Sequence, residues 1–315
     1  MANPATFPLE KGPNQGRRPA FVVLAFIGLA PLLLACCGTA PPRSQFPTAD
    51  DALGRMKATY ACVNGVQGTA KIDHFSPKGR VRGEVLIFAV NPDRVRFDVV
   101  SPFGATIYNL ASNGKQFQML DYKEKQFLHG PASACNLARL TQVPVPGHAL
   151  VALLRGEAPV LAHEPAGATI AWDDGSYRVQ VQSTRNASQE VHLEVHPDDW
   201  DKPWAQQRVR VTNVRVSQGG VDLYQAVLKN HEPARTAAPR EDPDGLEDTI
   251  PPSGGACDAE LPRSIRMTVP NTEEDVIFQY KEAAWNPPIV AGAFTLKMAG
   301  GVRKVFVDCG KDGAR

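Results

Sequence analysis

The sequence lacks an excess of charge of either sign: 34 Lys and Arg stand against 33 Asp and Glu, a net charge of +1. That balance excludes the basic footprint of a nucleic-acid binder. The chain also lacks any uninterrupted apolar run of the ~20 residues that a membrane-spanning helix needs. No two cysteines form a CxxC pair. GxxxxGKS and GxxxxGKT, a strand-borne GxGxxG, GxSxG and HExxH are all missing, so the commonest nucleotide, hydrolase and zinc-protease signatures are absent. What is present is a core-forming composition, 43% hydrophobic and 21% charged, which rules out a wholly disordered chain. The 27 prolines and 26 glycines require many turns and at least one loose connection.

The first segment reads as an address. Lys11, Arg17 and Arg18 precede an apolar run from Ala20 to Ala35 that is interrupted by Pro31. A positive flank, a short apolar core and a small residue at its end make a secretory signal peptide. The run closes in Leu33, Leu34, Ala35 and Cys36, which resembles a bacterial lipobox. That resemblance implies a lipoprotein signal peptide over residues 1–35 and lipid attachment at Cys36. Removing residues 1–35 subtracts Lys11, Arg17, Arg18 and Glu10, so the mature chain carries a net charge of −1.

Beyond the signal, residues 36–52 are rich in Pro, Ser and Thr and read as a lipidated flexible tether. A helical pattern follows, with Leu53, Met56 and Tyr60 on one face and Asp50 and Asp51 at its start. From Gln67 the period changes to two. In DRVRFDVV, for example, Val95, Phe97 and Val99 alternate with charged residues. RVRGEVLIFAV, ATIYNLAS, KQFQMLDYK and KQFLHG continue this meander, and AFTLKMA and KVFVDC are among the last strand-like segments. The expected fold is mainly β: a curled antiparallel sheet of about 11 strands, with helices only at the front and in the middle. The middle helices are short, from Cys135 to Leu140 and from His148 to Arg155, and are separated by VPVPG. The domain is expected to span residues 53–310 as one unit, with residues 231–256 forming a Pro-rich acidic loop.

Side chains for chemistry are scarce. His192 and His196 are four apart, which on a strand separates them by about 13 Å, too far to share a metal. Asp173, Asp174, Asp198 and Asp199 fall in expected turns, where Asp is favoured for backbone reasons. No enzyme, metal or cofactor is expected. The apolar face of the sheet is the remaining asset, with Val95, Phe97, Val99, Phe117 and Met119 as cavity candidates, joined by Leu150 and Leu153 from the covering helix. A plain packed core fits the same pattern. Cys62, Cys135, Cys257 and Cys309 are dispersed and suit disulfides in an exported protein, with three connectivities open. The expected pairs are Cys257 with Cys309 and Cys62 with Cys135.

The run Ser101, Pro102, Phe103, Gly104, Ala105, Thr106, the strand after it and KQFQMLDYKEKQF resemble the outer-membrane lipoprotein receptor family LolB. The helix–VPVP–helix segment from Asn136 to Gly156 is similar to that family's Pro-x-Pro between two lid helices. The likeness is best over residues 53–158. It implies an incomplete β-barrel with lid helices over an apolar cavity, which receives the acyl chains of lipoproteins from a LolA-like periplasmic carrier. It also implies insertion of that cargo into the outer membrane from its periplasmic face, by a monomer whose partners are membrane lipid and lipoprotein acyl chains. Pro102, Phe103 and Gly104 would form the membrane-contact loop. The alternative is a structural or assembly lipoprotein of the same fold without cargo. Labelled palmitate should be incorporated into the wild-type chain and not into Cys36→Ala; persistent labelling of the variant would remove the lipid anchor from this reading.

Overall fold

The computed structural model describes residues 39–309 apart from 78, 102 and 142. The signal segment, Cys36 and Pro102 therefore lie outside the described residues. Thr48 opens helix α1 (Ala49–Tyr60): its hydroxyl accepts from the Asp51 amide at 3.1 Å, and Asp50 and Asp51 place negative charge in the first turn. Leu53, Met56 and Tyr60 share its buried face, as their spacing predicts. The residues just before α1 are packed onto the sheet. Phe46 is buried with its ring 4.9 Å from that of Tyr177, and the Thr39 carbonyl accepts from Trp172 Nε1 at 2.7 Å.

Six strands follow: β1 (Gly65–Ser76), β2 (Gly79–Val90), β3 (Arg94–Val100), β4 (Thr106–Ser112), β5 (Gln116–Asp121) and β6 (Gln126–Pro131). Each is antiparallel to the next. Helices α2 (Ala134–Thr141) and α3 (Gly147–Leu154) come next, and the intervening prolines keep them apart. A second run then builds β7 (Ala168–Asp173), β8 (Ser176–Gln182), β9 (Ala187–Val195), β10 (Val209–Gln218), β11 (Val221–Pro233), β12 (Arg235–Thr236), β13 (Glu260–Val269), β14 (Glu274–Trp285) and β15 (Arg303–Phe306).

The strands form one unclosed sheet in the order β15-β6-β5-β4-β3-β2-β1-β14-β13-β11-β10-β9-β8-β7, with β12 beside β14. The inner face carries the core, to which α1, α2 and α3 contribute. The mainly β, helix-covered architecture agrees with the sequence reading, and three details correct it. Among the described residues the sheet has 15 strands, against about 11 expected. It is mixed, because β15 runs parallel to β6 and β12 parallel to β14. The segment AFTLKMA is not a strand: turns closed by Ala293 N–H to Val290 O and Thr295 N–H to Gly292 O carry it across the outer face instead.

Both disulfides differ from the expected pairs. Cys62 bonds Cys257 and Cys135 bonds Cys309, with Cα separations of 5.4 and 6.3 Å. Sheet order is the reason. Because β15 pairs with β6, the chain end arrives beside the start of α2 and delivers Cys309 to Cys135. Because β14 pairs with β1, the approach to β13 passes the end of α1 and brings Cys257 to Cys62.

Asn286, fully buried just after β14, holds that second junction together. Its amide nitrogen donates to Cys62 O at 2.9 Å and Gly255 O at 2.8 Å, and its oxygen accepts from Asn64 N–H at 2.7 Å. Its φ of +55° is a conformation that Asn and Gly adopt more readily than most residues. Asn286→Gly keeps that backbone and removes the hydrogen bonds. It should lower stability by about 2–4 kcal/mol, because several buried backbone groups lose their partner. A loss under about 1 kcal/mol in urea unfolding would show that the junction does not depend on this side chain.

Candidate functional site

The inner face changes character along each strand. On β2 the inward row runs Val85, Gly83, Val81: Val85 is fully buried, whereas Val81 is 57% exposed. The strand thus passes from packed core to open rim as it nears the hairpin tips. Gly83 widens that passage. A Cβ there would lie 3.1 Å from the Val100 carbonyl oxygen, 3.7 Å from Val99 Cγ1 and 3.8 Å from Ile72 Cγ2, so a side chain would crowd the β3 backbone and fill the gap beside it. The result is a cavity of about 420 Å³ between α2 and the inward side chains of β1 to β6. Its apolar lining includes Ile72, Val99, Met119, Leu128 and Leu140. His74, Arg82, Asp121 and Arg139 add polar groups to its wall.

These polar groups are largely held by neighbours. His74 Nε2 lies 2.6 Å from Glu274 Oε2, and Arg139 Nε donates to Asn136 Oδ1 at 3.3 Å. Burial raises the Tyr108 phenol above its ordinary value, and Asp121 and Glu124 push it further, so this wall presents a neutral hydroxyl. An apolar lining that meets polar groups at its rim accommodates a ligand with an apolar body and a polar end.

Of the seven cavity candidates, Val99 and Met119 line this space. Val95, Phe97, Phe117, Leu150 and Leu153 are buried in the packed core beside it. Sequence periodicity could not separate the two groups, since both sit on the same inward rows. Ile72, Val81, Gly83, Tyr108, Leu128 and Leu140 were missed. The signal that could have found them was the glycine in the inward row of RVRGEVLIFAV, where every second position was otherwise apolar.

The loop joining β3 to β4 begins two residues after Val99. Ser101 organises it: its hydroxyl accepts from the Phe103 and Ala105 amides at 3.3 and 3.1 Å, and its carbonyl accepts from Gly104 N–H at 2.9 Å. Gly104 has φ +82°, with nothing within 4 Å of a Cβ built on it, so glycine serves the turn's conformation and not its space. Phe103 is 97% exposed and does not fold back onto the sheet. Pro102 lies outside the described residues.

The histidines and the buried aspartate singled out in the second half of the sheet have structural partners. His192 Nε2 lies 2.9 Å from Glu190, and His196 Nε2 lies 3.2 Å from Glu260. Burial works against the charge on Asp199, yet hydrogen bonds from Arg208 and Lys202 outweigh it and hold the carboxyl far below the usual range. Among the described residues no group of three or more His, Cys, Asp or Glu is placed to hold a metal ion. No described helix is long and apolar enough to cross a membrane.

No protein-family model matches the chain, and no curated protein matches its sequence. Among solved structures, it is similar to a LolA superfamily protein from Nitrosomonas europaea, at 13% identity and a TM-score of 0.47, over 79% of this chain and 98% of that one. It is also similar to a DUF1329 family protein from Desulfovibrio piger, at 8% identity and a TM-score of 0.47, over 78% of this chain and 95% of that one.

Proposed function

We propose that this chain is a lipid-anchored lipoprotein of the bacterial outer membrane that takes an acyl chain of another lipoprotein into the inner cavity and passes it to the membrane. The observation that carries the reading is the pairing of an apolar cavity of about 420 Å³ with an almost fully exposed phenylalanine on the adjoining loop. The volume falls within the range of small-ligand sites and gives room for about one chain. Exposing an aromatic ring at a hairpin tip costs solubility unless something apolar meets it. A membrane is the apolar phase that a protein anchored at Cys36 would meet, with the signal peptide over residues 1–35 removed. A LolA-like periplasmic carrier is the expected donor of cargo, the chain acts as a monomer, and the sequence resemblance to LolB supplies both expectations. No nucleic acid enters this reading, and transfer breaks and forms no covalent bond.

The second reading, a structural or assembly lipoprotein without cargo, is favoured by a different observation. Most of the inner face is filled by side chains, including five of the seven residues expected to line a cavity.

One reconstituted assay separates the two. The protein is loaded with a fluorescent acyl-chain probe and mixed with liposomes. Wild type should load and deliver. Val81→Trp, which plugs the rim at an exposed position, should fail to load. Phe103→Glu should load and fold normally but deliver about tenfold more slowly, since burying a Phe side chain contributes roughly 1.5–3 kcal/mol. Phe103→Leu should be nearly neutral. Failure of wild type to load leaves the structural reading, and equal delivery by wild type and Phe103→Glu removes Phe103 from the transfer step.

A further inference from the structure

The turns joining β1 to β2, β3 to β4 and β5 to β6 leave the same end of the sheet, because each of these strands is antiparallel to the next. The inner cavity opens at this end, where Val81, Tyr108 and Asp121 stand in its wall. The turn between β10 and β11 points the same way, as the antiparallel pairings of β1 with β14, β14 with β13 and β13 with β11 require. Among the described residues nine large hydrophobic side chains are exposed, and five of them lie at this end: Val81, Phe103, Tyr122, Val221 and Leu223. Exposed apolar surface is thus concentrated on the side of the cavity mouth.

The turn after β5 holds Tyr122 in place. The Asp121 carboxylate accepts from the Lys123 and Glu124 amides, both at 2.9 Å, and Lys125 closes the turn at φ +51°. Tyr122 N–H donates to Ile107 O at 3.2 Å, two residues beyond the Phe103 loop, so the two turns are neighbours. Tyr122 is 44% exposed.

Charge around these turns nearly cancels. Among the described residues Arg80, Arg82, Lys123 and Lys125 stand against Asp73, Asp121 and Glu124. Arg303 adds one positive charge, and Glu273 and Glu274 at the head of β14 add two negative ones. Lys78 lies outside the described residues. Arg80 and Arg82 both reach Asp73, at 2.5 and 3.2 Å. No field of one sign is available to draw in an anionic surface.

The exposed side chains near the mouth also stand singly. Val81 lies between Arg80 and Arg82, Tyr122 between Asp121 and Lys123, and Phe103 alone on its turn. A protein partner calls for a contiguous apolar core. The interface of a bilayer instead takes single aromatic rings, with the stems of neighbouring lysines reaching to headgroup level.

We propose that the mouth of the inner cavity seats on a lipid bilayer at two adjacent turns, with Phe103 in the apolar phase and Tyr122 at headgroup level, and that insertion rather than charge attraction holds it there. The proposal rests on the membrane as partner, argued above, and not on the cavity taking cargo.

The test is flotation of the full chain carrying Cys36→Ala, which removes the acyl anchor, with vesicles of phosphatidylcholine and with vesicles of phosphatidylglycerol. This parent chain should bind both within about twofold and keep its binding in about 1 M salt. Phe103→Glu should weaken binding about tenfold and Tyr122→Glu roughly threefold, the smaller loss going with the smaller exposed area. Tyr122→Trp should keep it. Leu246→Glu changes an 87% exposed leucine in the loop that leaves the opposite end of β14, and should have no effect. No binding by the parent chain, or an equal loss in Leu246→Glu, overturns the proposal. Binding that needs phosphatidylglycerol or disappears in salt overturns insertion as the driving force. Unchanged binding by Tyr122→Glu overturns the second contact; slower loading of that variant from a LolA-like carrier would then give this turn a protein partner instead. Should Tyr122→Glu fail to fold, Tyr122→Ser carries the same test. If the parent chain takes up no acyl-chain probe but binds vesicles with both losses intact, this surface stands and the transfer reading falls.

Discussion

The pairing of β1 with β14 is the constraint on which the rest depends. Two meanders, one of six strands and one built after the lid helices, would each present an open edge beside an apolar face. The register from Val66 opposite Trp285 to Phe75 opposite Asp275 fuses them into one sheet and one core. Both ends of this seam are secured. At one end lie Asn286 and the Cys62–Cys257 disulfide, and at the other His74 meets Glu274. Along the seam Gly68 permits a bulge: a Cβ there would lie 2.2 Å from the Glu282 carbonyl oxygen, so no other residue lets the two backbones approach this closely. The delivery of Cys257 to Cys62 follows from that alignment.

The outer edge beyond β6 is managed differently. β15 adds a short parallel strand there, and Gly130 on β6 lets it close in, since a Cβ at that position would strike the Val307 carbonyl oxygen. The same chain end reaches α2 twice more, through the Cys135–Cys309 disulfide and through Asn136 Nδ2, which donates to Val307 O at 3.3 Å. Covering the edge and positioning the helix over the inner cavity are thus one operation. Leu140, which lines the cavity, sits on the helix fixed in this way.

Much of the fold was legible because local rules agreed with the tertiary outcome. The alternation in DRVRFDVV predicted the inward face of β3, and Leu53, Met56 and Tyr60 predicted the buried face of α1. The exposed Phe103 followed from its place in a Pro-Phe-Gly loop. What stayed hidden was decided by long-range contact. β12 is only two residues long and exists because β14 extends past the end of β13. AFTLKMA has a strand's composition but meets a sheet whose members are already paired, so it crosses their outer face. Disulfide partners depend on strand order, which cysteine spacing does not encode.

The hardest distinction was between a filled core and a receptive cavity, and the reason is physical. Both use apolar residues on the same inward rows, so period-two patterning reports only which face is inward. The difference arises from side-chain volume at single positions and from distance along the strand. On β3, Phe97 stacks at 6.4 Å on Phe278 and closes the space, whereas Val99, one inward step nearer the loop, faces the gap above Gly83. One alternation toward the hairpin tips thus converts packing into lining. The same step carries the strand to the loop that bears Phe103, so the opening of the cavity and the exposure of the aromatic are products of one strand's direction.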